Sequence, residues 1–482
     1  MDLAVAFAFI SLIILTYLLA INRKAFTDKV DRRTLTILGL IFLLSVVLRL
    51  CIPMLYHKVW TDEHMYMLAA KNIMTGLEAG AYMKSIGWPV ILSISFMIFG
   101  LNNWVALYAS LFFGSLTCVA CYFMTIFVTG NKSISYISAI LVATLPLHIL
   151  WSSSAETNAV SVFFITLSMA CSFLYYKKKR TILAWTALSS LAFTCMIRPE
   201  NHILLLLFIA GAMIYKCNLK QLMLPILVVL MLIAPNLVTV YSFQASTNWI
   251  EHHTGGEEEG DNVSFGNIIS NTFWMAQESF ASTPLVVLIF SGMGAYLLFR
   301  KDLKLFIYAF SGLMLLWSVY SLTWLRFAAA PERMLLSFYP FIALLTGYCA
   351  LIIRRRPKLT AIAISLLIVI FSLPLAISST MHDDHYMLET QTVERAEEDI
   401  EDCTVVAALP EVLIATTELD VISLDMVNET TGCMLLFDDI FCRSQLYKNL
   451  RNSCESIRSS YDLTLFKTYE RGAYNISFYH IR

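Results

Sequence analysis

The sequence predicts an all-α polytopic membrane domain of about 11–12 transmembrane helices over residues 1–379, followed by a small extracytoplasmic α/β domain over residues 380–482. Three observations predict it. The chain is 58% hydrophobic and only 14% charged, against roughly 25% charged in a soluble domain. Apolar runs long enough to cross a bilayer recur from Leu3 to Ile377. After Ser378 those runs stop and short alternating segments begin. A net charge of −1 offers no overall attraction to nucleic acid, and no such partner is expected; the electrostatic information lies in where the charges sit.

The expected spans are Leu3–Ile21, Thr34–Tyr56, Trp104–Val128, Ile134–Trp151, Ala159–Tyr176, Thr181–Ile197, His202–Tyr215, Gln221–Phe243, Leu285–Phe299, Leu305–Thr323, Arg333–Ile353 and Thr360–Ile377. Gaps 22–33, 129–133, 177–180, 216–220, 300–304 and 354–358 hold 19 Lys and Arg, whereas the alternating gaps hold only Lys58, Lys71, Lys84, Arg198 and Arg326. The basic set is therefore cytoplasmic and the other set outside. An even number of crossings places the N terminus and the tail outside together. The first helix lacks a basic leading region and an A-x-A-like cleavage site, so it reads as an uncleaved anchor.

Two outside segments are too long to be plain connections, residues 57–103 and 244–284. In the first, Thr61 or Asp62 is placed to cap a helix whose Met65, Leu68, Ala69 and Ile73 share one face, which suits a helix lying along the membrane surface. Trp88 to Phe99 is too short to span comfortably and would reverse the charge parity, so it too is expected along the outer face. Asp62 and Glu63 then stand at a lipid–water boundary, where carboxylates can accept protons or hold a divalent ion; the simpler reading is a cap and a first-turn acid favoured by the helix dipole. Arg49, Glu156, Arg198 with Glu200, and Arg326 with Glu332 and Arg333 also gather at the outer ends of spans. Such residues need partners, a task, or a route to the headgroups. The second long segment carries His252-His253 and Glu257-Glu258-Glu259, but in a Gly-rich setting without metal-ligand spacing, so a solvated loop is expected.

The Asp62-Glu63-x-x-Tyr66 segment, preceded by Leu48-Arg49-Leu50 and Trp60, resembles the signature of the GT-C superfamily of membrane glycosyltransferases, which use lipid-phosphate sugars. Trp88-Pro89, Leu145-Pro146, Trp151-Ser152 and an acid in the second outer loop follow in the same order. The nearest branch is that of protein O-mannosyltransferases and lipid A aminoarabinose transferases, which also carries the Glu332-Arg333-Met334-Leu335-Leu336 pattern. The likeness is good from about Thr34 to Met213, fainter from Arg326 to Tyr348 and negligible elsewhere. It departs in two places: the second-loop acid is Glu156 where Asp is frequent, and Leu3–Ile21 is an added helix.

The resemblance implies inverting transfer of a sugar from a polyprenyl- or dolichyl-phosphate donor to a protein, glycan or lipid acceptor on the outer face. It implies Asp62 as the base with Glu63 beside it, Arg333, Arg198 and Arg49 on the donor phosphate, and Tyr66, Glu156 and Glu200 positioning substrate. A divalent cation, Mg or Mn, would fall to Asp62, Glu63 and Glu156 where one is used. The reading from another class is a lipid or solute transporter or flippase; a scaffold displaying the tail is a third, which leaves the one-sided charges without a role.

In the tail, strands are expected at Thr404–Ala408, Val421–Leu424, Met434–Phe437, Leu463–Tyr469 and Ile476–Tyr479, and helices at Thr392–Asp402, Pro410–Thr416 and Ser444–Arg458. Cys403, Cys433, Cys442 and Cys454 allow three pairings on the outer side; at least one disulfide is favoured over free buried thiols. Asn262, Asn428 and Asn475 open sequons.

Overall fold

Asn102, Gly130 and Asn131 set how the bundle turns back on itself. Asn102 Oδ1 accepts the Trp104 N–H and starts a 27-residue helix, which Gly130 ends at a φ of 68° that a side chain rarely adopts. Asn131 then caps the next helix by accepting from Ser133 and Ile134, so two residues suffice to reverse the chain.

The computed structural model describes residues 3–28, 30–51, 61–77, 85–246, 265–323, 331–351 and 357–380, and in the tail 400, 403–407, 421–429, 433–438, 442, 448–471 and 474–481. The helices are α1 Leu3–Ile21, α2 Arg23–Thr27, α3 Arg32–Cys51, α4 Thr61–Thr75, α5 Gly87–Phe99, α6 Asn103–Thr129, α7 Lys132–Thr144, α8 Pro146–Trp151, α9 Thr157–Lys178, α10 Thr181–Ile197, α11 Ile203–Ile214, α12 Met223–Ser246, α13 Phe265–Ser282, α14 Leu285–Lys301, α15 Leu303–Thr323, α16 Tyr339–Tyr348, α17 Pro357–Thr380 and α18 Lys448–Ser460. Among the described residues eight helical stretches are long and apolar enough to cross a membrane, or nine if α13 and α14, bent by 113°, count as one. The protein is a multi-pass integral membrane protein.

Three expected crossings are shorter than that. Ile134–Trp151 is split by Pro146 into α7 and α8, and α10 and α11 have 17 and 12 residues. The 244–284 segment is not a loop throughout, because α13 occupies its second half; its His252-His253 and acidic run lie outside the described residues. α5 packs most of its length inside the protein. Trp88, Val90 and Leu92 have no exposed area, and only its end, from Met97 to Phe99, reaches the periphery.

Charge contacts confirm the sorting of loops between the two ends. Lys132 Nζ meets Asp31 Oδ2 at 2.8 Å, Lys178 Nζ meets Asp28 Oδ2 at 3.8 Å, and Lys179 Nζ donates to Lys216 O at 3.2 Å. Four basic gaps thus share one end of the bundle. The bonds from Lys132 and Thr34 hold the Asp31 carboxyl well below the usual carboxylate range.

The tail forms a five-stranded sheet in the order β2-β1-β3-β5-β4, from β1 Thr404–Ala407, β2 Val421–Ser423, β3 Met434–Asp438, β4 Leu463–Arg471 and β5 Tyr474–Ile481. β1 runs parallel to β2 and β3, and β5 runs antiparallel to β3 and β4. Alternation by two gives it two apolar faces. Val405, Ala407, Leu435, Phe437 and Phe478 pack on one, while Val406, Leu436 and Ile481 pack on the other with Ile457 of α18. All five expected strands are present; the helices expected at Thr392–Asp402 and Pro410–Thr416 fall outside the described residues, apart from Ile400.

Of the three pairings open to the four tail cysteines, the structure has Cys403–Cys433, joining the residues before β1 and β3, and Cys442–Cys454. Maleimide labelling of the denatured chain is expected to miss these four thiols until a reductant is added while modifying the other seven, of which Cys51 is exposed in the native state. Cutting the Cys442–Cys454 link with serine should cost the sheet about 3 kcal/mol through the freed loop, measurable as a lower unfolding midpoint.

Candidate functional site

At the end opposite the basic gaps, four separate segments converge. α4 begins at Thr61, and its buried residues are Glu63, Tyr66, Met67, Ala69 and Ala70, with Met65, Leu68 and Ile73 half-buried. Glu63 leads that buried face. Its carboxylate is turned inward, 1% exposed, and Oε1 accepts the Ala155 N–H at 2.8 Å. Trp88 Nε1 donates to Ala155 O at 2.5 Å, so both backbone groups of Ala155 are held by side chains from the first outer segment. That segment is itself fixed to the end of α10. Ser85 Oγ donates to Met196 O, Ile86 N donates to Asn236 Oδ1 at 3.1 Å, and Gly87 lies so close to the Met196 carbonyl that a Cβ would meet it at 2.8 Å.

Fixing Ala155 sets the next residue. Glu156, 2% exposed, precedes the first turn of α9, where the helix dipole favours its charge. Both its carboxylate oxygens accept from Arg333 Nη1 at 2.7 Å, and Oε2 also accepts from Asn158 Nδ2 at 2.6 Å. Arg333 comes from the 3₁₀ segment Pro331–Phe338 and sits over the Trp151 ring, 5.7 Å from its centroid. On the other side Asn158 Oδ1 accepts from Arg198 Nη1, and Arg198 Nη2 donates to Glu200 Oε1 at 3.0 Å. Arg198 ends α10 ahead of Pro199, a position where the helix dipole favours a cation. Burial alone would lower the affinity of its guanidinium for its proton, but the Glu200 carboxylate more than offsets that and raises it. Tyr66 and Tyr320 are within electrostatic reach of Arg198.

The structure therefore joins Glu63, Glu156, Arg198, Glu200 and Arg333 in one cluster, with Tyr66 beside it. The side chains of Asp62 and Glu332, and Arg326 as a whole, lie outside what the structure describes. Asn158, which links the two arginines, was not singled out from sequence; its signal is the spacing, a Glu-x-Asn at a helix start where both side chains lean back over the cap.

Arg49 belongs to a separate network. Pro146 has no N–H for the turn before it, and the extended Leu145 backbone breaks α7 from α8, leaving carbonyls without helical donors. Arg49 Nη1 donates to one of them, Ala143 O, at 3.1 Å and to Ser45 O and Oγ at 3.0 and 2.5 Å. Nη2 lies 2.8 Å from His148 Nδ1, and the same ring nitrogen lies 3.2 Å from Val142 O. The expectation that Arg49 meets the donor phosphate is not supported by this placement: its side chain is wholly buried and spent on the helix break.

Both Glu156 oxygens are engaged by Arg333, and among the described residues no three His, Cys, Asp or Glu side chains converge to hold an ion.

Residues 76–214 match the family model for dolichyl-phosphate-mannose-protein mannosyltransferase. The crystal structure of ArnT from Cupriavidus metallidurans bound to undecaprenyl phosphate aligns with 92% of this chain and 97% of its own at a TM-score of 0.56 and 11% identity. The chain has the ArnT fold. The apo structure of the same ArnT agrees, at TM-score 0.56 over 93% of this chain and 97% of its own. In sequence, an uncharacterized protein of Aquifex aeolicus (strain VF5) is 28% identical over 153 residues, 28% of this chain, so the match spans only 30% of that relative. The likeness to the solved structures is one of fold, and the family match spans α5 to α11, the stretch that carries Glu156, Asn158, Arg198 and Glu200.

Proposed function

We propose that this protein is a membrane glycosyltransferase that moves a sugar from a polyprenyl- or dolichyl-phosphate donor to a protein, glycan or lipid acceptor on the extracytoplasmic face. The observation that carries the reading is the Arg333–Glu156–Asn158–Arg198–Glu200 chain, which links two guanidinium groups from distant segments through one carboxylate and one amide at one end of an ArnT-fold bundle. A lipid phosphate needs planar cationic donors at the membrane surface, and this arrangement supplies them.

In the proposed reaction an acceptor hydroxyl or amide attacks the anomeric carbon in line. The new bond to the acceptor forms as the carbon–oxygen bond to phosphate breaks, so the configuration inverts. The proton passes to Asp62, and the phosphate leaves as an anion facing Arg198 and Arg333. Glu63 fixes the loop that carries Glu156, and Glu156 orients Arg333. The outer placement of this end follows from the positive-inside rule, and the two tail disulfides support an oxidising compartment for the sheet. A transporter would need ionisable groups along a path through the midplane; the cluster is confined to one end.

The test is consumption of radiolabelled polyprenyl-phosphate hexose by purified protein, wild type against Asp62→Asn. Turnover is expected to fall by about a hundredfold or more while the unfolding midpoint is unchanged. Equal turnover in the two proteins would remove Asp62 as the base.

A further inference from the structure

Resting on that reading, the geometry points to Glu200 as a resident counter-anion that occupies the phosphate-facing side of Arg198 and is displaced by the lipid phosphate. Arg198 presents its Nη1 to Asn158 and its other edge, Nη2 and Nε, to the two oxygens of Glu200 at 3.0 and 3.5 Å. That side-on fork is the same geometry in which guanidinium takes two phosphate oxygens. Within the cluster the two carboxylates differ in access. The Glu156 side chain is 3% exposed and enclosed, whereas Glu200 is 23% exposed on a four-residue 3₁₀ turn, beside an Arg198 that is 13% exposed. An anion arriving at the Nη2–Nε edge of Arg198 meets Glu200 there, and of the two carboxylates paired with arginines Glu200 is the more exposed.

This exchange discriminates by charge. A sugar-linked lipid phosphate is a phosphodiester with one negative charge; the released lipid phosphate is a monoester that carries close to two above pH 7. A carboxylate held nearby repels the dianion about twice as strongly as the monoanion. Glu200 thus favours donor over product at the same arginine and helps the product leave.

The experiment measures binding of farnesyl phosphate and its methyl ester to the full-length protein in nanodiscs at pH 8. Glu200→Gln keeps the shape and removes the charge, and is expected to tighten the methyl ester about fivefold and farnesyl phosphate by about the square of that factor. Glu200→Asp retains the charge on a shorter stem, so the ratio between the two ligands should stay near that of wild type. Unchanged or weaker binding of both ligands to Glu200→Gln would overturn the proposal, leaving Glu200 as a support for Arg198 only. Wild type that binds neither ligand would instead defeat the glycosyltransferase reading itself, independently of Glu200.

Discussion

Replacing Glu156 with alanine is expected to destabilise the protein by about 3–5 kcal/mol, the usual cost of removing one partner of an enclosed ion pair, and to abolish transfer with it. The carboxylate accepts two contacts from Arg333 and one from Asn158. Without it Arg333 keeps its charge over the Trp151 ring with its nearest anion gone, and the Asn158 amide loses the partner that turns its oxygen toward Arg198. One substitution therefore removes a contact from each arginine, direct for Arg333 and through Asn158 for Arg198. Glu156→Gln separates the parts of this effect: it preserves the volume and one acceptor oxygen but removes the charge, so about half the destabilisation should remain. Thermal unfolding in detergent measures the first quantity and donor consumption the second. An alanine variant that unfolds with the wild type would mean that the pair is solvated and carries no structural load.

The long helices were legible in the sequence because nothing else explains repeated apolar runs, and the charge parity was legible because basic residues stay on one side. The contacts Lys132–Asp31, Lys178–Asp28 and Lys179–Lys216 bring four of the six basic gaps together, apart from the Glu156–Arg333 pair. Other features were hidden for physical reasons. Counting apolar residues assigns a carboxylate to the outward face, whereas Glu63 points inward to a backbone amide 92 residues away, a contact that nothing local in the sequence signals. Pro146 is visible in the sequence and so is the break it forces, but nothing local says which donor meets the freed carbonyls. The helix α13 was missed because Asn, Ser, Thr and Gln interrupt its apolar positions, as in a loop; Asn271 Nδ2 bonding to Ser321 O at 3.0 Å shows that these residues serve packing between helices.

Arg49→Met tests the most consequential of those hidden contacts. Methionine fills similar space without a donor, so Ala143 O and Ser45 Oγ lose the donor that Arg49 supplies, while His148 Nδ1 keeps only Val142 O. At roughly 1–3 kcal/mol for each stranded group, the variant should lose about 2–5 kcal/mol of stability. Its activity should fall as well, because α8 leads through Trp151 and Ser152 directly into the residues that Glu63 and Arg333 hold. Arg49→Lys retains a cation that reaches a carbonyl but lacks the planar fork, and is expected to recover only part of the loss. Farnesyl phosphate affinity separates this role from direct donor contact. If Arg49 acts through the helix break, Arg49→Lys protein that remains folded binds the lipid phosphate as wild type does. Wild-type stability of Arg49→Met combined with weakened lipid-phosphate binding would instead return Arg49 to the donor site.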